Sequence, residues 1–362
     1  MNAPLLTESF NPAAVQSCLS TLGAELMVDA YGPQACFAAA ASIDHVLSGG
    51  IAPLPDYGLL HVTGADARSF LHSQVTNDIE HLAPGKVQWN GFCTAKGRLL
   101  LSGRNWLSDD SIALLVPRTL AEPLRKRLSM FVLRSKAKVV DASDQFACLG
   151  LMGEKAATAL ARLGLPPSHI DTCTHQGEVT AIRLPTVRLS EGELQRYLLV
   201  VPMHDLARVW EILVRADVGQ ALTPLGSEVW RWTEVRASEP RVVGGAVEQF
   251  VPQMVNFDLI GGVNFKKGCY PGQEVVARSH YLGKLKRRMF LADSGPGPCP
   301  APGSDILSPG ETEPCGQVVM AAGSPLGGIS VLYESQIALA EGATLEDGRA
   351  LVRLPLPYAL PT

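Results

Sequence analysis

The sequence predicts an α+β protein that ends in a small all-β unit, and three observations predict it. A β-type run ending in proline and followed by a helical stretch occurs twice: Ser111-Ile112-Ala113-Leu114-Leu115-Val116-Pro117 before a helix near 120–131, and Arg196-Tyr197-Leu198-Leu199-Val200-Val201-Pro202 before one at 205–215. Such an echo suggests two similar layers of helix on sheet. In the second helix Leu206, Val209, Trp210 and Leu213 recur at i, i+3, i+4 and i+7, a single apolar stripe. Beyond residue 285 the texture changes to short β-type runs, 289–291, 316–321 and 328–333, parted by Pro and Gly clusters as in a small β-barrel or sandwich.

In chain order, 15–26 and 34–41 are helix-prone patches around Gly32-Pro33, closed by Pro53 and Pro55. Leu59-Leu60-His61-Val62 reads as a strand, and Gly64-Ala65-Asp66 then opens an amphipathic helix through Phe70 and Leu71 to Val75. Thr76-Asn77-Asp78 is a turn, because Asn and Asp hydrogen-bond their own backbone. Stretches 87–94 and 97–106 read as a hairpin joined near Ala95-Lys96-Gly97. Stretch 146–152 is a strand and 154–163 a helix, with Gly164 at its C-cap and Pro166 soon after. A helix over 230–241 leads into a long, glycine-broken loop that ends at Lys266.

At 362 residues the chain exceeds one ordinary core and suggests two or three domains. Its 46% hydrophobic and 18% charged residues describe a folded soluble protein, and no stretch nears the roughly 20 apolar residues of a membrane span. Residues 1–12 carry no basic-then-apolar leader, so no signal peptide is read. The eight cysteines, at 18, 36, 93, 148, 173, 269, 299 and 315, lack a framework spacing and read as reduced thiols of a cytoplasmic protein. No C-x-x-C pair and no His/Cys cluster at ligand spacing occurs, so no metal site is predicted. The net charge of −4 is uneven: 266–288 holds seven basic residues against Glu274, a +6 segment that leaves −10 elsewhere. A focused positive zone on an acidic chain suits a small polyanion more than a long duplex. No strong nucleic-acid signal is read, and a solvated basic strand is the plainer account of Lys286, Arg287 and Arg288 individually.

The chemistry concentrates in Lys266-Lys267-Gly268-Cys269-Tyr270-Pro271-Gly272-Gln273-Glu274. Pro271-Gly272 is a tight turn feeding a short helix through Val275, Val276, Ala277 and Arg278. A cysteine just ahead of a helix N-terminus, beside two lysines, sits where a thiolate is favoured. Cys269 is therefore a candidate nucleophile, metal ligand or redox group, and as a free cysteine it equally suits a small buried apolar position. Glu274 and Arg278, at i and i+4, are spaced for an ordinary helical ion pair.

With Phe265 ahead of it, this stretch holds K-G-C-Y-x-G-Q-E unchanged, and the chain resembles the YgfZ family. These are folate-binding proteins related to the aminomethyltransferase of the glycine cleavage system. Two more regions match: Gly64-Ala65-Asp66 with Phe70 to Asp78 and Phe92 to Arg98, and Phe250-Val251-Pro252-Gln253 to Asn256. The resemblance spans about residues 55–345. It implies a three-domain ring with tetrahydrofolate in a central hole and a small C-terminal β-barrel. The division it implies is a folate-binding α+β domain of 1–145 plus 225–285, a second α+β domain of 146–224, and the barrel of 286–362. The implied role is support of iron–sulfur cluster assembly or repair, with an effect on tRNA thiomodification, so iron–sulfur client enzymes or assembly factors are the implied partners.

On that resemblance Cys269 is the reactive group, with Lys267 and Arg278 as its cationic neighbours. Tyr270, Gln273, Glu274, Gln74, Asn77 and Lys96 are candidate ligand contacts, and Lys284 to Arg288 would hold the folate's glutamyl tail. Two departures stand out. Where the aminomethyltransferases carry a catalytic aspartate, this chain has Leu99-Leu100-Leu101, which cannot assist proton movement and argues against glycine-cleavage activity. Their pterin-binding glutamate lies in R-x-E-A-G, which here reads Glu234-Val235-Arg236-Ala237-Ser238 with Arg236 at the glutamate position. Arginine offers only donors, so either Glu234 substitutes or the ring sits differently. The rival readings are a folate-dependent one-carbon transferase acting on an unknown amine, and an RNA-binding module working through the basic segment.

Overall fold

The computed structural model describes residues 10–166, 169–215, 219–281, 285–310 and 313–361. Both proline-ended strands are present. Ser111–Pro117 pairs antiparallel with Tyr57–Thr63 and Leu99–Ser108, and Val87–Cys93 and Lys138–Asp141 complete a five-stranded sheet. Pro117 then hands the chain to helix Arg118–Val132, which lays Leu120, Ala121, Leu124 and Leu128 against Leu60, Val62, Leu114 and Val116. Each such buried side chain contributes about 1.5–3 kcal/mol over an exposed one. Gly192–Pro202 lies between Val179–Leu189 and Phe146–Met152 in a six-stranded sheet, under helix Leu206–Val214 with its whole Leu206/Val209/Trp210/Leu213 stripe buried. This sheet also takes Gly50–Pro53 from far upstream, so the first segment is laced into the second layer.

The third sheet runs Thr344–Leu345, Asp305–Leu307, Gly316–Gly323, Ile329–Gln336, Arg287–Ser294, Val352–Leu354. No ladder joins its two outer strands: Thr344 of the first bridges to Ala350, two residues ahead of the last strand. The sheet therefore curls into a half-barrel, short of the closed barrel expected.

Helix Ser227–Arg236 is the hub among these sheets. Trp230 and Trp232 are buried, and Trp232 Nε1 donates to Ser330 Oγ at 3.1 Å on the third sheet. Trp230 presses on the second sheet at Gly150, where a Cβ would come 2.2 Å from the indole, so only glycine fits. The helix stops at Arg236 rather than near 241, because Ser238 turns to φ +54 and Pro240 cannot continue it. Just beyond, Arg241 pairs with Asp56 and stands 3.4 Å from Glu234, all three buried. At the N-terminus, patch 34–41 departs from the helix expected. Asp29 Oδ1 accepts from Tyr31 N at 2.8 Å, Gly32 takes φ +116, and Gly32–Cys36 folds back as a strand on Glu25–Asp29. Ser227 Oγ then holds it in place by accepting Ala35 N at 2.7 Å.

Candidate functional site

The hairpin turn 94–98 is the floor on which the cysteine motif rests. A Cβ on Gly272 (φ +82) would lie 2.4 Å from Thr94 O and 2.6 Å from Gly97 Cα, so the two turns pack glycine to glycine. The Pro271-Gly272 turn feeds helix Gln273–Tyr281, as the sequence indicates. Cys269, at the mouth of that turn, is exposed, and it is the only one of the eight cysteines that is. Burial pushes the Cys18, Cys173 and Cys299 thiols up to about 11, and those of Cys93 and Cys148 up to about 12. Those five are held protonated by burial, and Cys269 is the most open of the eight thiols to solvent.

Lys267 turns inward. Its Nζ donates to His72 O and, at 2.7 Å, to Val75 O, and it sits 4.9 Å from the centre of the buried Tyr270 ring. Burial lowers its pKa to about 8, with Asp78, Glu80 and Cys269 pulling the other way. An unfolded lysine keeps its proton to about pH 10.4, so over roughly pH 8–10 the unfolded chain binds more protons and stability rises with pH. Lys267→Met is expected to lose that rise relative to wild type, and to cost about 1–3 kcal/mol by leaving two carbonyls unpaired. Urea midpoints at pH 7 and pH 10 measure both.

The other motif residues are placed as follows. Gln273 Nε2 donates to Lys267 O at 3.4 Å across the turn. Glu274 and Arg278 are exposed, and no ion pair joins them. Gln74 Nε2 reaches only Ser73 Oγ, at 3.1 Å, and Lys96 is exposed on the hairpin turn. Asn77 is fully engaged: Nδ2 donates to Trp89 O at 2.9 Å and Gly261 O at 2.7 Å, while Oδ1 accepts Asp78 N. The +6 segment does not form one positive face. Lys267 is buried, Arg287 pairs with Glu334, and Arg288 pairs at 2.7 Å with Asp258 beneath the surface. Lys284 lies outside the described residues.

A cavity of about 800 Å³ opens where the three sheets converge. Trp89 of the first sheet, Val187 and Arg188 of the second and Leu291 of the third line it, with Leu259 and Ile260 from the long loop and Tyr358 from the C-terminal stretch. Arg236 is the one residue singled out from sequence that lies on its wall, where Nη1 stands 3.2 Å from Asp293. Glu234 does not reach it. Its carboxylate accepts the Tyr57 hydroxyl and faces Arg241, and burial raises its pKa against the pull of that arginine.

Three carboxylates line the wall, Asp171, Glu193 and Glu239, and the most deeply buried is Glu239, which sequence reasoning missed. Its Oε1 stands 2.8 Å from Arg104 and 3.0 Å from Arg196, a buried ion-paired triad in which Arg104 Nε and Arg196 Nη1 have no hydrogen-bond partner among the described residues. Burial pushes this carboxyl up, but Arg104 and Arg196 together outweigh it and hold it below the ordinary range. Arg104 also lies 3.8 Å over the Trp89 ring. Glu239 adjoins the matched 234–238 stretch and was within reach of the sequence; Arg104 and Arg196 come from distant strands with no local signal. The cavity thus offers an indole face, a guanidinium and an anion to one bound molecule, a set suited to a flat, polar-edged ring. Among the described residues no group of three His, Cys, Asp or Glu side chains is placed to hold a metal ion. No helix among them is long and apolar enough to cross a membrane.

Comparison with known proteins agrees with this fold. The family model described as GCVT N-terminal domain matches residues 39–233. A tRNA-modifying protein YgfZ of Vibrio vulnificus (strain YJ016) is 31% identical over 237 residues, covering 66% of this chain and 68% of its own. The protein of the same name from Escherichia coli O127:H6 (strain E2348/69 / EPEC) is 29% identical over 313 residues, covering 85% and 92%. The crystal structure of glycine cleavage system aminomethyltransferase T from Bartonella henselae aligns with TM-score 0.73 at 16% identity, over 94% of this chain and 95% of that one, which shows the shared fold.

Proposed function

Because the chain belongs to the YgfZ family and carries the GCVT N-terminal domain, we propose that it is a cytoplasmic folate-binding accessory protein. In this reading it supports iron–sulfur cluster assembly or repair and, through those enzymes, tRNA thiomodification. The units 1–145 with 225–285, 146–224 and 286–362 stand around the cavity as a three-part ring, and tetrahydrofolate or a derivative occupies the middle.

The observation that carries the reading is the cavity wall. Its volume of about 800 Å³ falls within the roughly 300–1,000 Å³ of sites for drug-sized ligands. The Glu239 carboxylate, held ionised against Arg104 and Arg196, is an acceptor of the kind that the amidine-like N–H edge of a pterin needs. Glu239 thus takes over the carboxylate role that the departure at Arg236 left open, and Arg236 and Arg188 serve the ligand's anionic groups. A bound reduced folate supplies a one-carbon unit or an electron-rich ring; the chain's own residues orient it and exclude water. Cys269, exposed and absent from the cavity wall, presents its thiol to a macromolecular client rather than to the ring. Leu100 and Leu101 are buried in hydrocarbon, so those positions supply no transferase carboxylate.

Tetrahydrofolate is expected to quench Trp89 fluorescence saturably, and Trp89→Phe to lose most of the signal. Arg236→Ala is expected to weaken binding about tenfold, the loss of one hydrogen bond to a charged group. Absence of saturable quenching in the wild type, with calorimetry silent as well, removes the folate reading.

A further inference from the structure

Residues 125–138 contain Arg125, Lys126, Arg127, Arg134, Lys136 and Lys138 and no acidic residue, a +6 stretch on a chain of net charge −4. Unlike the 266–288 segment, this one remains on the surface. Lys126, Arg134, Lys136 and Lys138 are exposed, and the last three make no ion pair among the described residues. The acidic groups close by are Glu122, which pairs with Arg125 at 2.8 Å and Lys126 at 3.5 Å, Asp141 near Arg125, and Asp66, whose Oδ2 accepts the Lys136 backbone N–H at 2.7 Å. Between the cations an apolar tip projects: Met130 is 67% exposed, Phe131 44% and Leu133 86%. Arg127 stands 6.0 Å from the Phe131 ring centre. Leu133 is held at φ +46, ψ −103, a backbone state suited to glycine, so the chain bears strain to present a leucine to water.

We propose that this ridge, at the end of helix Arg118–Val132, is a docking surface for structured RNA. Free cations take the phosphates, and Phe131, flanked by Met130 and Leu133, gives an unpaired base a platform to stack on. Charge decides between RNA and an anionic bilayer. The remainder of the chain carries −10, and a flat bilayer would bring that body within about a Debye length, ~10 Å, of its own lipid charge. A folded RNA can touch the ridge alone. The surface is independent of the cavity and of Cys269, so it stands or falls separately from the folate reading.

The test is fluorescence anisotropy with labelled unfractionated tRNA between about 50 and 200 mM KCl. With the four exposed cations Lys126, Arg134, Lys136 and Lys138 engaged, affinity is expected to fall roughly 100-fold across that range, a log–log slope near −3 to −4. Lys126→Gln, Arg134→Gln, Lys136→Gln and Lys138→Gln combined should flatten the slope and weaken binding at low salt by a similar factor. Phe131→Ala should weaken it about fivefold or more with the slope unchanged. Leu133→Gly should raise the melting temperature by relieving φ while lowering RNA affinity, a pairing of signs that a purely structural residue would not give. Circular dichroism confirms that each variant is folded. tRNA affinity that the combined variant leaves within twofold overturns the proposal. So does binding to phosphatidylglycerol-containing vesicles without binding to tRNA, which would make the ridge a membrane contact.

Discussion

Glu239→Ala is expected to destabilise the protein by about 3–5 kcal/mol, the usual cost of stripping the counter-ion from buried charge. Arg104, Arg196 and Glu239 are all buried, and the carboxylate is the anion that both guanidiniums face. Without it Arg104 keeps its stack on Trp89, and Arg196 keeps its Nε bond to Pro185 O at 3.1 Å and its place 5.9 Å from the Trp230 ring centre. Urea unfolding reads the loss directly. The pH dependence follows from the sign of the shift. The folded carboxyl lies below its ordinary range, so its contribution is complete above about pH 4.3 and drains away as pH falls through the folded value. The gap between wild type and Glu239→Gln should therefore narrow on acidification below about pH 4. A gap that stays constant with pH would mean that the carboxylate is not the anion of this network.

The second large effect is on function. Cys269→Ser is expected to leave fold, melting temperature and tetrahydrofolate affinity at wild-type values. In cells lacking the native protein, it should fail to restore iron–sulfur enzyme activity and tRNA thiomodification. Exposure supports the separation of roles: Cys269 packs into none of the hydrophobic cores, and its side chain makes no hydrogen bond among the described residues. Brief iodoacetamide treatment of the native protein should label this cysteine ahead of the five thiols that burial holds protonated. If the serine variant complements fully, the thiol has no role beyond the turn it occupies.

What the sequence disclosed and what it withheld have physical reasons. Local signals were legible: the apolar stripe of Leu206 to Leu213, the Pro271-Gly272 turn and the proline-ended strands all specify themselves within a few residues. The hairpin at 25–36 was hidden because its strand is fixed from 192 residues away, by Ser227 Oγ on Ala35 N. The motif's cations misled for a similar reason. Lys267 was read as a cation facing Cys269 in the site, yet the carbonyls of His72 and Val75 that draw it inward lie almost 200 residues upstream. Arg287 and Arg288 likewise found Glu334 and Asp258, so the exposed +6 zone proved to be 125–138 and not 266–288. The cavity was the least legible part, since Trp89, Arg188, Arg236, Glu239 and Leu291 share a wall only after three sheets have formed.

The account rests on that wall, and a crystal structure of the protein soaked with tetrahydrofolate tests it most directly. The expected result is a pterin ring between Trp89 and Arg236, its N–H edge on Glu239, with the Cys269 sulfur beyond bonding distance of the ligand's reactive nitrogens. A folate seated anywhere else on the chain, with this cavity filled by water alone, would contradict it.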